Sequence, residues 1–197
     1  WQILPLGPTG YGDSPYQSVS TFAGNPYFID LETLIDKKLL TKEECESCDW
    51  GGSESYVDYE KMYLSRFKLL RKAYERANLK NDPDYVAFLK QEEDWLLDYC
   101  LFMAIKNAQN GKCWIDWPEE LKDRHSKAVK EAEKELAEEV EFYSFQQYCF
   151  TTQWSKLKKY ANKKGIQIIG DVPIYVALDS SDAWANPEML QFDEDYN

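Results

Sequence analysis

The sequence predicts an α/β chain: two parallel strands separated by a long helical stretch, the pattern of a partial (β/α)8 TIM barrel with a large helical insertion. Apolar segments that read as strands stand near both ends, in "WQILPL" (residues 1–6) and "IQIIGDVPIYVA" (residues 166–177). The stretch between them has helical periodicity almost throughout. Each apolar segment also runs into a loop dense in turn and aromatic residues, "GPTGYGDSPYQ" and "DVPIYVALDSSDAWANP". A complete barrel takes about 250 residues and eight strands. With 197 residues, the chain is expected to be a piece of a larger one.

Each element has its own signal. In the first strand Ile3, Leu4 and Leu6 are apolar, and Pro5 near its end is tolerated there. Residues 7–26 read as a long loop. "FIDLETLIDKKLL" spaces Leu31, Leu34, Ile35 and Leu39 helically. "TKEE" sets Glu44 three residues after Thr41, the pattern of a capping box, and predicts a short helix from there. "DYEKMYLSRFKLLRKAYERA" places Met62, Phe67, Leu70 and Tyr74 near one stripe of an amphipathic helix. The next helix takes Asp82 as N-cap and Pro83 at its first position, stops at Gly111, and has an expected break near Gln91–Glu93. After the "WIDWP" connection a long helix, or two end to end, runs to Gly165. Its early part alternates Lys and Glu as a solvated face does, and its later part turns aromatic. The apolar run after Gly165 reads as the second strand, covered on both sides.

Composition bounds the function. A hydrophobic share of 44% supplies a sizeable core, and a net charge of −12 repels phosphate backbones and anionic lipid. Neither nucleic acid nor a membrane is expected as a partner; no apolar run approaches the roughly 18 residues that span a bilayer. No secretory leader pattern is visible, and a cytoplasmic protein is the expectation. Trp1 is not an initiating Met, so an upstream segment is expected. Five cysteines are an odd count, and "CESC" at Cys45 and Cys48 has neither a second pair nor histidines to complete a zinc site. No metal and no cofactor is expected. The sole histidine, His125, reads as a solvated residue at a helix start.

The chemistry is expected in the loops. Loops after the C-terminal ends of barrel strands build the active site, which points Asp13, Ser14, Tyr16, Gln17 and Asp171 into one cleft. Asp171 serves equally well as a turn former before Val172–Pro173. "GPTGYG" lacks the spacing of a P-loop or a dinucleotide fingerprint, so its glycines are read as allowing tight turns and close ligand approach. Paired carboxylates would suit glycoside chemistry, but among 35 acidic residues composition cannot choose a pair.

Two long blocks carry a resemblance. "WQILPLGPTGYGDSPYQSVSTFAGNPYFIDL" and "FQQYCFTTQWSKLKKYANKKGIQIIGDVPIYVALDSSDAWANPEML", with "WLLDYCLFMAIK" and "WIDWP" between them, closely resemble the amylomaltase family of 4-alpha-glucanotransferases, the disproportionating enzymes. The resemblance implies a TIM barrel in which residues 1–6 match the family's second strand and the segment from Ile166 its third. It implies transfer of alpha-1,4-glucan segments between maltooligosaccharides by a retaining double displacement. Starch- or glycogen-type glucan is the implied partner.

The family's nucleophilic Asp, acid/base Glu and third Asp follow later strands. The resemblance therefore implies an N-terminal fragment of the catalytic barrel with no catalytic carboxylate of its own. Ser14 and Tyr16 resemble residues lining the sugar site, Asp171 stands in the family's first barrel signature, and Tyr11 resembles a position linked to a second glucan site. Gln17, Asp13 and Trp184 complete the candidate substrate-binding set.

Residues 1–29 are expected to form a barrel strand and substrate loop, 30–118 an inserted helical subdomain, and 119–197 a barrel helix, strand and second loop. Unpaired strand edges lead to the expectation of self-association or of a complementing remainder of the barrel. The alternatives are a non-catalytic glucan-binding module and an interaction protein built on the helical middle.

Overall fold

The computed structural model describes residues 1–10, 12–173 and 175–193. Helix starts follow local capping chemistry. Helix α1 (Leu31–Asp36) begins where the Asp30 carboxylate accepts from the Thr33 N–H, and α2 (Lys42–Glu46) where Thr41 and Glu44 close their reciprocal box. Asp58 caps α3 (Tyr59–Arg76), and Asp82 with Pro83 opens α4 (Pro83–Gln91). The expected break follows, and α5 (Leu96–Ala108) resumes after Trp95. Then come α6 (Glu119–Lys122), α7 (Ser126–Glu135), α8 (Ala137–Lys163) and α9 (Ser181–Ala185). The long charged-to-aromatic segment is thus two helices end to end, interrupted at Leu136.

Helix α8 ends in a Schellman motif. Gly165 takes φ 75°, its N–H donates to Asn162 O, and the Ile166 N–H donates to Ala161 O. Glycine suits that left-handed position because a side chain there is strained.

The core sits between α5 and α8. On α5, Tyr99, Cys100, Leu101, Phe102, Ala104 and Ile105 are all buried, and on α8 every residue from Phe142 to Cys149 is buried. A helix buried around its whole circumference lies inside a packed unit and is not a surface cover. Burying a side chain the size of Phe102 contributes about 1.5–3 kcal/mol. One apolar cluster draws on Val19 and Ala23 from the first loop, on the central helices and on Trp184 from α9.

Two glutamines of α8 fasten the first loop to this core. The Gln147 amide accepts from the Gly24 N–H at 2.7 Å and donates to Gly24 O at 3.0 Å. Six residues along, the Gln153 amide does the same for Asp30, at 2.7 and 3.1 Å. Each side-chain amide imitates a strand partner for an otherwise unpaired loop backbone.

The two terminal segments do not form the strands that their apolar residues suggest. Among the described residues they share a single parallel bridge, Gln2 with Ile169. The Ile3 N–H donates to Ile169 O at 2.9 Å, and the Ile169 N–H donates to Trp1 O at 2.8 Å. Pro5 has no N–H to extend the ladder, and two short segments without neighbours on either side make a marginal pairing. The expected burial is also missing: Leu4, Ile169 and Val172 are 59%, 61% and 71% exposed. The described chain is mostly helical.

Candidate functional site

The first loop folds on itself as a hairpin. Thr9 bridges Ser18 in antiparallel register, the Gly10 N–H donates to Gln17 O, and the Val19 N–H donates to Pro8 O. The buried Ser18 hydroxyl lies 2.8 Å from Pro8 O and 2.6 Å from Ser20 O. A Cβ at Gly7 would come within 2.6 Å of that oxygen, so a side chain there would displace the Ser18 hydroxyl from its bonds. At the tip, Gly12 (φ 96°) and Asp13 (φ 53°) turn the chain left-handed, and the Asp13 carboxylate accepts from the Thr9 hydroxyl at 3.0 Å. A β-turn follows with Pro15 at its second position, where its fixed φ suits. Here the Gln17 N–H donates to Ser14 O, and Ser14 Oγ accepts from the Tyr16 N–H. This turn lifts the Tyr16 side chain, 49% exposed, off the loop.

The second loop meets the first there. The Tyr16 hydroxyl donates to Asp171 Oδ2 at 2.8 Å across 155 residues of sequence. The other carboxylate oxygen, Oδ1, accepts from the Val172 N–H at 2.8 Å. Asp171 is thus held by its neighbour's backbone N–H on one oxygen and by the Tyr16 hydroxyl on the other. The bond to Asp171, and secondarily burial, pushes the Tyr16 phenol above its ordinary value. A phenol donor and a carboxylate acceptor stand side by side, the arrangement of a polar edge that can orient hydroxyl groups.

Further bonds hold the second loop in place. The Ser181 N–H donates to Val19 O at 2.9 Å, and the Thr21 N–H and hydroxyl donate to Asp182 at 2.9 and 3.0 Å. The Lys106 ammonium reaches Asp179 at 2.6 Å and also the carbonyls of Gly111 and Lys112, while Trp114 Nε1 donates to Leu178 O. In the sequence Lys106 stands out by no motif of its own. Its role as a clip between α5 and this loop had no signal in local spacing.

The structure thus brings Asp13, Ser14, Tyr16 and Gln17 together on one hairpin and places Asp171 against Tyr16. Tyr11 lies outside the described residues. Trp184 does not join them, a correction to the expected site. It is fully buried, packed on Phe102 and Trp117 with centroids 5.9 and 5.6 Å away. Its Nε1 donates to Leu121 O at 2.9 Å, and the Arg124 guanidinium lies 4.1 Å from its ring. An indole so enclosed, its one donor satisfied, has no face left for a ligand. His125 is exposed at the start of α7, as expected.

A family model described as 4-alpha-glucanotransferase matches residues 1–196. The chain is 49% identical over 190 residues to a 4-alpha-glucanotransferase of Clostridium butyricum, covering 96% of the chain and 39% of that relative. It is 47% identical over 199 residues to one of Thermus thermophilus, covering 99% of the chain and again 39% of the relative. In structure it resembles an amylomaltase from Streptococcus agalactiae in complex with acarbose, with a TM-score of 0.93 and 39% identity, over all of this chain and 40% of that one. The chain therefore spans about two fifths of the length of the relatives it matches.

Proposed function

The chain belongs to the 4-alpha-glucanotransferase family, and on that premise we propose that the protein carrying it moves alpha-1,4-glucan segments between maltooligosaccharide chains. The route is a retaining double displacement. A carboxylate attacks the anomeric carbon, the glycosidic bond breaks, and an acid donates its proton to the departing sugar oxygen. The hydroxyl of an acceptor sugar then takes the segment and returns its proton to the same group, and the carboxylate is released.

None of these catalytic carboxylates is assigned among residues 1–197. The chain's own contribution is to substrate binding. The Tyr16–Asp171 pair is the observation that carries this reading: an exposed ring fixed by a carboxylate across two loops. The ring offers a flat apolar face to a sugar ring, and Asp171, Ser14 and Gln17 offer hydrogen-bonding groups to its hydroxyls. Asp13 holds the hairpin tip from which they project. The acarbose bound by the Streptococcus agalactiae relative supports a glucan-type ligand.

In this reading the bridged segments around Gln2 and Ile169 are neighbouring strands of a (β/α)8 barrel, and residues 30–118 are a helical insertion between them. The exposed Leu4, Ile169 and Val172 are covered by the remainder of that barrel, and the protein works in the cytoplasm. Incubating the full-length protein with maltotriose tests the activity. Both shorter and longer maltooligosaccharides are expected. Hydrolysis products alone, or no change, would overturn the reading.

A further inference from the structure

A second groove, of about 700 Å3, opens between residues 20–22, the junction of α4 and α5, and α9 with the residues that follow it. Neither Tyr16 nor Asp171 lines it. Its wall carries an aromatic plate, the Phe22 ring backed by the Trp95 indole. The Phe22 ring, 65% exposed, lies within 21° of parallel to the half-buried Trp95 indole, with centroids 6.0 Å apart. The plate is fixed in place. Trp95 Nε1 donates to Glu92 at 2.9 Å, and the indole packs on buried Tyr99. The break between α4 and α5 exists at this point without proline or glycine, and it turns Trp95 toward Phe22. Thr21, next to Phe22, is pinned to Asp182 by two bonds.

The rim decides the ligand class. It carries Asp94, Asp182, Gln91 and Asn186, and no Lys or Arg is among the residues lining it. Anions are repelled. An organic cation would want aromatic rings on several sides, but here there is one plate on one side. The nearby carboxylates are also engaged already: Glu92 with Trp95, Asp98 with Arg124, and Asp182 with Thr21. A neutral ring with one apolar face and hydroxyls around its edge fits this combination.

We propose that the groove binds a sugar ring of an alpha-1,4-glucan chain, stacked on the open face of the Phe22 ring that Trp95 backs, in a groove that neither Tyr16 nor Asp171 lines. The inference rests on the function proposed above for the identity of the sugar. It gives that function a second hold on a long glucan.

The test is electrophoresis of the full-length protein, run cold, in native gels holding soluble amylose. Wild type should be retarded. Phe22→Ala should weaken the apparent affinity about tenfold, the scale of one lost aromatic contact, with an unchanged melting temperature. Phe22→Trp should restore it. Full retardation of Phe22→Ala would overturn the site. So would a fall in melting temperature with retardation intact, since Phe22 would then be packing against the rest of the protein. Choline binding that is lost in Phe22→Ala, with amylose retardation kept, would overturn the sugar assignment in favour of a cation. A wild type that disproportionates maltotriose yet runs unretarded would sink this site alone. One that does neither would sink the proposed function with it.

Discussion

Thr21 grips Asp182 with both of its donors, the backbone N–H at 2.9 Å and the hydroxyl at 3.0 Å, across 161 residues of sequence. The two loops that carry the candidate site are therefore tied side by side. Hydrogen bonds to a charged acceptor are worth more than neutral ones. Asp182→Ala should cost about 1–3 kcal/mol, read as a lowered urea midpoint with an unchanged slope. Asp182→Asn should lose less, because an amide oxygen still accepts. An Asp182→Ala variant of wild-type stability would show that the tie is incidental.

The Tyr16–Asp171 pair separates ring from hydroxyl. In the full-length protein, Tyr16→Phe should keep much of the transfer rate, whereas Tyr16→Ala should lose at least about tenfold in kcat/KM. Wild-type kinetics for Tyr16→Ala would show that the turn shapes the loop without touching sugar. Asp171→Asn should bring the raised Tyr16 phenol back toward the ordinary value of 10.0, measured by NMR titration of labelled tyrosine. A Tyr16 titration unmoved by that change would exclude Asp171 as its cause.

Acid sensitivity should centre on Glu44. The Arg76 guanidinium grips its carboxylate with two bonds of 2.7 Å, Lys72 adds one of 3.2 Å, and these hold its pKa down at about 2 from 4.5. The folded form thus binds the Glu44 proton less readily than the unfolded chain. Its contribution is present above pH 4.5 and is lost as pH falls toward about 2. Glu44→Gln should flatten stability against pH across that window and leave the curve unaltered in shape near neutrality. An unchanged acid limb would rule the group out.

Gly24 should tolerate no side chain. A Cβ built there would enter the Phe150 ring, while Gln147 holds the backbone on both sides. Gly24→Ala should destabilise by about 1–3 kcal/mol, as overpacking does. Phe150→Ala should recover part of that loss in the double variant. Additive losses in the double variant would show that the clash is relieved elsewhere.

How far the sequence could be read depended on how local the cause was. The Thr41–Glu44 box, the Asp82–Pro83 start and the break before Trp95 are set by neighbours a few residues apart, and each appears where its residues predict. The bridge between Gln2 and Ile169 is the opposite case. An apolar run states a preference for strand, but the ladder needs partners on both edges, and among the described residues, 1–6 and 166–177 share only one short pairing. Trp184 misled because it follows a loop of polar residues. Its burial depends on Phe102, Trp117 and Leu121, all more than 60 residues away. Tyr16 and Asp171 were legible as loop residues, but their 2.8 Å bond is a tertiary distance that no spacing encodes. Phe22 and Trp95 lie inside blocks that carry the resemblance, but nothing in their spacing pairs them, and only their stacking draws notice.

The paired amides of Gln147 and Gln153 make α8 a ruler. The two backbone positions they hold, Gly24 and Asp30, are six residues apart, as are the glutamines themselves. The loop is thereby measured against a helix, with no slack between the marks. One residue inserted between the two glutamines would swing the following amide by about 100° and shift it by about 1.5 Å, so one clasp would open while the other stayed shut. Length changes during the divergence of such chains should therefore fall outside residues 24–30 and 147–153, and substitutions within these stretches should accumulate while their lengths stay matched.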